Sequence, residues 1–440
     1  MKRALIITYY WPPSGGSGVQ RWLKMSKYLP QYGWEPVIYT ADNAEYPVED
    51  ASLAKEVSPN TTVLRLPIVE PYSMYKSFLG IKKNEKVKAG FINEGAKKTA
   101  WKERLSIWIR GNLFIPDARC WWIKPSVLFL SKYLKDNKVD VIISTGPPHS
   151  MHLIAMELNK KTNIPWVADF RDPWTDIDFY NELKLTHWAD RRHHKLEAAV
   201  MRNANRVVFV GHHGAKQQSD KHHRQIDIIT NGFDFELPKE PQHLTTKFSI
   251  SHVGIIGSSR NSNAFWDALK ELIEENESLR QQIEIRLIGQ VDRSVIESVN
   301  KRLLSEYVSI TPYIEHDEVF PTLAESQVLL LLINNTFSAK SILSGKIFEY
   351  MASGRPILAL CPTDGDAAAV LKETQTGMTC DFNDKDGIKE ALLTLFERFS
   401  NNDLHTCFNP QVNAYSRKEL TKKYSIILNE LTERQTITDN

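Results

Sequence analysis

The order of its segments constrains this 440-residue chain more than any single residue does. Residues 5–10 form an apolar, strand-like run and residues 12–18 a loop. Trp22, Leu23, Ser26 and Leu29 then recur at helical spacing, ahead of a second strand at 36–40. Strand, Gly-rich loop, helix, strand is the opening of a doubly wound α/β domain. Further strands are expected at 139–145, 165–168, 206–210 and 227–230. The pattern begins again after a polar, Pro-containing run at 237–246: strand 249–256, helix 264–275, strand 283–288, then strands at 308–311, 328–333 and 356–360. That run reads as the boundary between an N-terminal domain, 1–238, and a C-terminal domain, 247–416. A chain of this length has room for two or three proper cores.

Composition removes several function classes. A formal net charge of +2 excludes a general nucleic-acid binder, and no nucleic-acid partner is expected. No apolar run approaches the roughly 18 residues of a membrane span. The run Ala4-Leu5-Ile6-Ile7 behind Lys2-Arg3 is too short for a signal peptide, so a cytoplasmic location is expected. Cys120, Cys361, Cys380 and Cys407 lack paired spacing and fit a reducing compartment. The pairs His193-His194, His212-His213 and His222-His223 invite a metal. Adjacent helical residues point about 100° apart, however, and no carboxylate or cysteine sits at ligand spacing, so no metal site is expected.

Four stretches carry chemistry. In the run 344–358, Ser344 and Gly345 start a helix and Ser353-Gly354 ends it, because glycine accepts the left-handed conformation that closes a helix. Lys346 and Glu349 share one face near that helix's N-terminus, where backbone N–H groups and a partial positive charge suit a phosphate. The competing reading is a surface Lys–Glu pair. Second, Gly257-Ser258-Ser259-Arg260 follows the first strand of the second domain and combines backbone donors with one guanidinium, a diphosphate clamp. Third, Gly16-Ser17-Gly18 half-mimics a dinucleotide fingerprint, but the third glycine position is Arg21, and Pro12-Pro13 precede the loop. Fourth, two polar clusters stand where strands end: Gly146-Pro147-Pro148-His149 and Asp169-Phe170-Arg171-Asp172. Groups at the carboxyl edge of an open α/β sheet are placed for function, which makes His149, Asp169 and Arg171 candidates for the acceptor side and for catalysis. The alternative is that Asp172 caps a helix and His149 fills a turn.

Residues 76–110 are strongly basic, with Lys and Arg opposed only by Glu85, Glu94 and Glu103, and Trp101, Trp108, Trp121 and Trp122 lie within or just after them. Such a segment suits an anionic membrane surface, against the alternative of a solvated excursion whose tryptophans pack back on the domain.

The run 344–358 resembles the donor-nucleotide motif of GT-B glycosyltransferases of the family 4 type, and the likeness extends over nearly the whole chain. Ile115-Pro116-Asp117 and Trp121-Trp122 resemble a stretch common in bacterial polysaccharide glycosyltransferases. The resemblance implies an α/β fold of two facing Rossmann-like domains, with the last helix (417–440) crossing back to the first domain. It implies that Glu349 holds the donor's ribose, that Arg260 and Lys346 hold its diphosphate with Gly257, Ser344, Gly345 and Gly16, and that Pro312-Tyr313-Ile314 packs the base through Ile314. It places His149 near the reacting centre. The expected activity is sugar transfer from a nucleotide-sugar to a glycan or lipid-linked acceptor in capsule or lipopolysaccharide synthesis. That transfer is expected to be retaining, metal-independent and without a cofactor, by a cytoplasmic protein peripheral on the inner membrane through 76–110. One departure is Ser341, which stands where many members carry a second Glu. The rivals are a sugar-nucleotide 2-epimerase of the same fold and a non-catalytic nucleotide-binding scaffold.

Overall fold

The computed structural model describes residues 1–70, 100–235, 243–312, 314, 316–404 and 409–438. The chain divides into one unit of Met1–Ile229 together with the segment from Leu420, and a second of Thr230–Glu419.

The first unit carries β1 (Lys2–Ile7), β2 (Trp34–Ala41), β3 (Thr62–Leu66), β4 (Val141–Gly146), β5 (Trp166–Phe170), β6 (Arg206–Phe209) and β7 (Asp227–Ile228). All pair in parallel, in the order β3-β2-β1-β4-β5-β6-β7. Its helices are α1 (Ser17–Tyr28), α2 (Ala100–Leu113), α3 (Ile123–Asp136), α4 (Ser150–Thr162), α5 (His187–Asn203) and α6 (His212–His222). Successive residues of the central strands feed opposite cores: Leu5, Ile7 and Ile142 point to one, Ala4, Ile6, Val141 and Ile143 to the other. A sheet covered on both faces needs such continuous apolar runs, which is why these strands were legible.

The second unit repeats the plan with β8 (Phe248–Val253), β9 (Ile283–Ile288), β10 (Val308–Thr311), β11 (Val328–Leu332), β12 (Ile357–Leu360) and β13 (Gly377–Cys380), in the parallel order β10-β9-β8-β11-β12-β13. Between them run α7 (Asn263–Glu275), α8 (Glu277–Gln282), α9 (Arg293–Lys301), α10 (His316–Glu325), α11 (Gly345–Ser353), α12 (Asp366–Thr374) and α13 (Lys385–Ser400). In each sheet the order reverses direction beside the first strand, between β1 and β4 and between β8 and β11. This is the Rossmann topology, whose ligands sit beyond the carboxyl ends of the strands at that switch point.

The final helix, α14 (Arg417–Thr438), returns to the first unit as expected. Leu420, Tyr424, Ile427 and Leu428 join the core that holds Trp22 and Leu23, with Tyr424 edge-on to Trp22 at 5.1 Å. The chain leaves the first unit at Ile229 rather than in the 237–246 run. Phe233 donates to the Tyr415 carbonyl (3.2 Å) and accepts from the Arg417 amide (2.8 Å), so the outgoing and returning segments are laced together. Of that run, 237–242 lie outside the described residues.

Two edge strands, β3 and β13, went unforeseen because their short sequences lack a continuous apolar run. The strand expected over 249–256 stops at Val253, where Gly254 takes φ +121°, a conformation that ends the strand and that side chains rarely adopt. Of the basic segment 76–110, residues 71–99 lie outside the described residues, and the remainder enters α2. Among the described residues no helix is long and apolar enough to cross a membrane.

Candidate active site

The predicted residues fall at the two switch points. Those of the first unit are Gly16, His149, Asp169 and Arg171; the remaining donor-side residues belong to the second unit.

In the first unit, Gly16 occupies the N-cap position of α1 with φ +79°. Beyond β4, Pro147 and Pro148 carry the chain into His149, which precedes α4. The helix start is capped from a distance: Asp117 accepts from the Ser150 amide (2.9 Å) and hydroxyl (2.8 Å), so the Ile115-Pro116-Asp117 stretch serves the fold. The His149 ring stacks on Trp174 with centroids 4.5 Å apart and planes 3° from parallel. It is only 7% exposed, and its Nδ1 has no hydrogen-bond partner among the described residues. Burial first, then the neighbouring His152, holds its pKa well below the usual histidine range, so the ring is neutral at physiological pH. His152 lies beneath it. Its Nδ1 accepts from Ser144 Oγ (2.8 Å), which in turn accepts from Trp166 Nε1 (2.8 Å), and burial lowers its pKa to about 3.

In the structure Asp169 and Arg171 both act as braces between segments of this unit. Asp169 is fully buried and accepts from Arg21 Nη2 (2.7 Å) and Nε (3.0 Å), Trp22 Nε1 (2.9 Å) and Thr145 Oγ1 (2.9 Å). Arg21 continues to the Ile229 carbonyl (2.9 Å). Both oxygens of this buried carboxylate are thus taken up by protein donors. Arg171 spends its guanidinium on the carbonyls of Gly146, Pro147 and Gly18 and lies over the Tyr10 ring (5.4 Å). It thereby ties the β1 and β4 loops together.

In the second unit, α11 begins and ends where the sequence indicated. The Ser344 side chain accepts from the Lys346 amide (3.4 Å), Gly345 is the first helical residue, and the helix closes at Gly354. Gly257 precedes a single 3₁₀ turn, Ser258–Arg260, and a side chain there would meet open space. Arg260 crosses the switch point. It donates from Nε to Asn334 Oδ1 (2.6 Å), just beyond β11, and from Nη1 to the Ile255 carbonyl (2.8 Å), just beyond β8. Lys346 lies across the Gly254 backbone, where an added Cβ would approach its Cε to 2.6 Å. Its Nζ is 3.4 Å from His252 Nε2. Burial, then the Arg260 charge, lowers its pKa to about 7, with Glu349 pulling the other way. Glu349 is half-buried one turn further along α11, and Ser341 donates to the Ser338 carbonyl (2.8 Å). Ile314 is half-buried against the core of this unit; its neighbour Tyr313 lies outside the described residues.

Two desolvated cations thus stand together at the carboxyl edge of β8 and β11, where an anion would relieve both. Sequence reasoning missed Asn334, His252 and His152. The available signal was a histidine inside an otherwise apolar strand or helix face, which is costly to bury unless it is hydrogen-bonded.

Residues 250–398 match the family model described as glycosyl transferases group 1. Among solved structures, the sucrose-phosphate synthase of Thermosynechococcus elongatus is similar over 99% of this chain and 100% of its own, at 12% identity and TM-score 0.62. A mutant of S. aureus TarM, in complex with fondaparinux, α-GlcNAc-glycerol and UDP, is similar over 98% of this chain and 100% of its own, at 12% identity and TM-score 0.62. WaaG, a glycosyltransferase involved in lipopolysaccharide biosynthesis, is similar over 97% of this chain and 99% of its own, at 12% identity and TM-score 0.55. No curated protein matches. The second unit is a glycosyl transferases group 1 domain, and the two Rossmann-like units follow the GT-B plan. The family match lies within the second unit, over residues 250–398, and the likeness to these solved structures over nearly the whole chain is one of fold.

Proposed function

We propose that this enzyme moves a sugar from a nucleotide-sugar to a glycan or lipid-linked acceptor in the synthesis of a bacterial surface polysaccharide, with retention at the anomeric carbon and without a metal or cofactor. The observation that carries the reading is the convergence of Arg260 and Lys346 on the β8–β11 switch point of a group 1 domain. The donor's diphosphate lies against these two cations and the loop and helix start at Gly257, Ser344 and Gly345. Glu349 accepts from the ribose hydroxyls, and the base packs near Ile314. Gly16 belongs to the first unit, and its part in donor binding is proposed with the rest.

As transfer proceeds, the anomeric C–O bond to the diphosphate breaks, the acceptor oxygen forms the new bond, and the acceptor's proton leaves with the nucleoside diphosphate. Fixed cations favour this step because the leaving group's charge is largest in the transition state. His149, held neutral by burial and by its stack on Trp174, suits hydrogen bonding to sugar or acceptor better than proton storage. The complex of TarM with UDP and α-GlcNAc-glycerol, and the role of WaaG in lipopolysaccharide biosynthesis, support the donor class and the surface-glycan role. Membrane contact through 76–110 and a cytoplasmic location complete the proposal.

A donor-hydrolysis screen across UDP-, GDP- and ADP-sugars, with and without chelator, tests it. One nucleotide series should be hydrolysed, chelator should not matter, and NMR of the transferred sugar should show the donor's anomeric configuration. Release of a 2-epimer, or no turnover with any donor, would overturn the reading.

A further inference from the structure

The β8–β11 ladder ends at the pair Leu329–Ser251, one residue before the strands part at the switch point. The side chain of the next residue, His252, supplies the following rung: its Nδ1 lies 2.9 Å from the Leu330 carbonyl. A carbonyl can only accept, so the proton sits on Nδ1 and Nε2 presents a lone pair. That lone pair faces Lys346 Nζ at 3.4 Å, and the lysine stem lies flat on Gly254, the one backbone here with no side chain in the way. His252 is completely buried, so this acceptor is fixed in place. The charged groups facing Lys346 are Arg260 from the loop after β8 and Glu349 from its own helix; Tyr350, the next residue on α11, accepts from the Val253 amide (3.0 Å) and ties the helix to the same strand end.

We propose that His252 is a positioning residue that parks Lys346: before a ligand arrives the lysine rests as a neutral amine donating to the imidazole, and a nucleoside diphosphate draws it off with uptake of one proton from solvent. This rests on the reading of the switch point as a diphosphate site. Two features support the proton uptake. Burial and the adjacent Arg260 charge bring the lysine down to about 7, and burial holds His252 well below the ordinary histidine range, so it does not take the proton instead. A bound diphosphate supplies the counter-charge that restores the ammonium. Lys346 then has a higher pKa bound than free, and affinity present below the free value is lost as pH rises above it.

The test is calorimetric titration of the full chain with UDP, GDP and ADP at about pH 7.5 and pH 9, a range in which their phosphates are already fully ionised. With a lysine at about 7, affinity for the nucleotide that binds should weaken about 25-fold across that range, and binding at the lower pH should take up about 0.8 proton, read from buffers of different ionisation heat. His252→Asn keeps a side-chain N–H for the Leu330 carbonyl but, being shorter, removes the acceptor at the Nε2 position. Lys346 should then rest outward as an ordinary ammonium, and the pH dependence should flatten to within about twofold. Lys346→Arg, charged at every pH tested, should flatten it as well. Wild-type affinity that is equal at both pH values would overturn the parking proposal alone, as would a His252→Asn variant that keeps the full wild-type dependence. Failure of all three nucleotides to bind at either pH would overturn the diphosphate reading and the proposal with it.

Discussion

The two switch points occupy equivalent places in their sheets and treat polar groups in opposite ways. Beyond β1 and β4, the charges are consumed internally. Asp169 is enclosed by Arg21, Trp22 and Thr145, Arg171 is spent on three carbonyls, and the two histidines are kept neutral. Beyond β8 and β11, two basic side chains are crowded together, each held below its ordinary pKa by burial. At the first edge Asp169 and Arg171 are each engaged by groups of the protein itself. The other is built with positive charge that an incoming anion would relieve. The same topology can therefore present two different balances of charge, because topology fixes only where strands end; the residues after them decide what charge remains.

Breaking the brace should have the largest effect. Removing one partner of a buried pair leaves the other charge uncompensated, so Asp169→Ala should cost about 3–5 kcal/mol of stability in urea unfolding. A loss below about 1 kcal/mol would show that the pair is not holding α1 to the sheet. At the same edge, His149→Ala should cut transfer by about 10²–10³ while nucleotide affinity stays within a few-fold. Because burial disfavours the imidazolium, the ring is neutral on both sides of the ordinary histidine value near 6.5, and the loss should be the same at about pH 6 and pH 8. Transfer near the wild-type rate would return His149 to the role of a turn residue. A loss that appears only at the higher pH would show that it titrates.

At the charged edge, Arg260→Ala should lower kcat by about 10²-fold, with a smaller change in nucleotide affinity, since its charge matters most as the diphosphate departs. A pure affinity effect with normal kcat would confine the residue to ground-state binding. Smallest, Glu349→Ala should weaken nucleotide binding about 10- to 150-fold, the loss of charge-assisted hydrogen bonds worth roughly 1.5–3 kcal/mol. Unchanged affinity for the nucleoside diphosphate would remove Glu349 from the ribose.

Most of the architecture was legible before any coordinates. The central strands read as unbroken apolar runs because both faces are covered, and Ser344, Gly345 and Gly354 bounded α11 because caps and left-handed turns are local requirements. Lys346, Glu349 and Arg260 were found because each lies next to such a local landmark. Hidden from sequence were relations between residues far apart along it. Arg21 appeared only as the residue that spoils a dinucleotide fingerprint. In the fold it is the buried partner of a carboxylate 148 positions away, which is why a charged side chain, not a third glycine, stands there. Asp169 looked catalytic because it ends a strand, yet the fold encloses it. His252 carried no motif at all, and its two nitrogens acquire meaning only from Leu330 and Lys346. Periodicity, capping and turn chemistry act over a few residues and are written in order along the chain. Which charges are neutralised, and which are left over, depends on what the sheet brings beside them, and tertiary structure alone decided that.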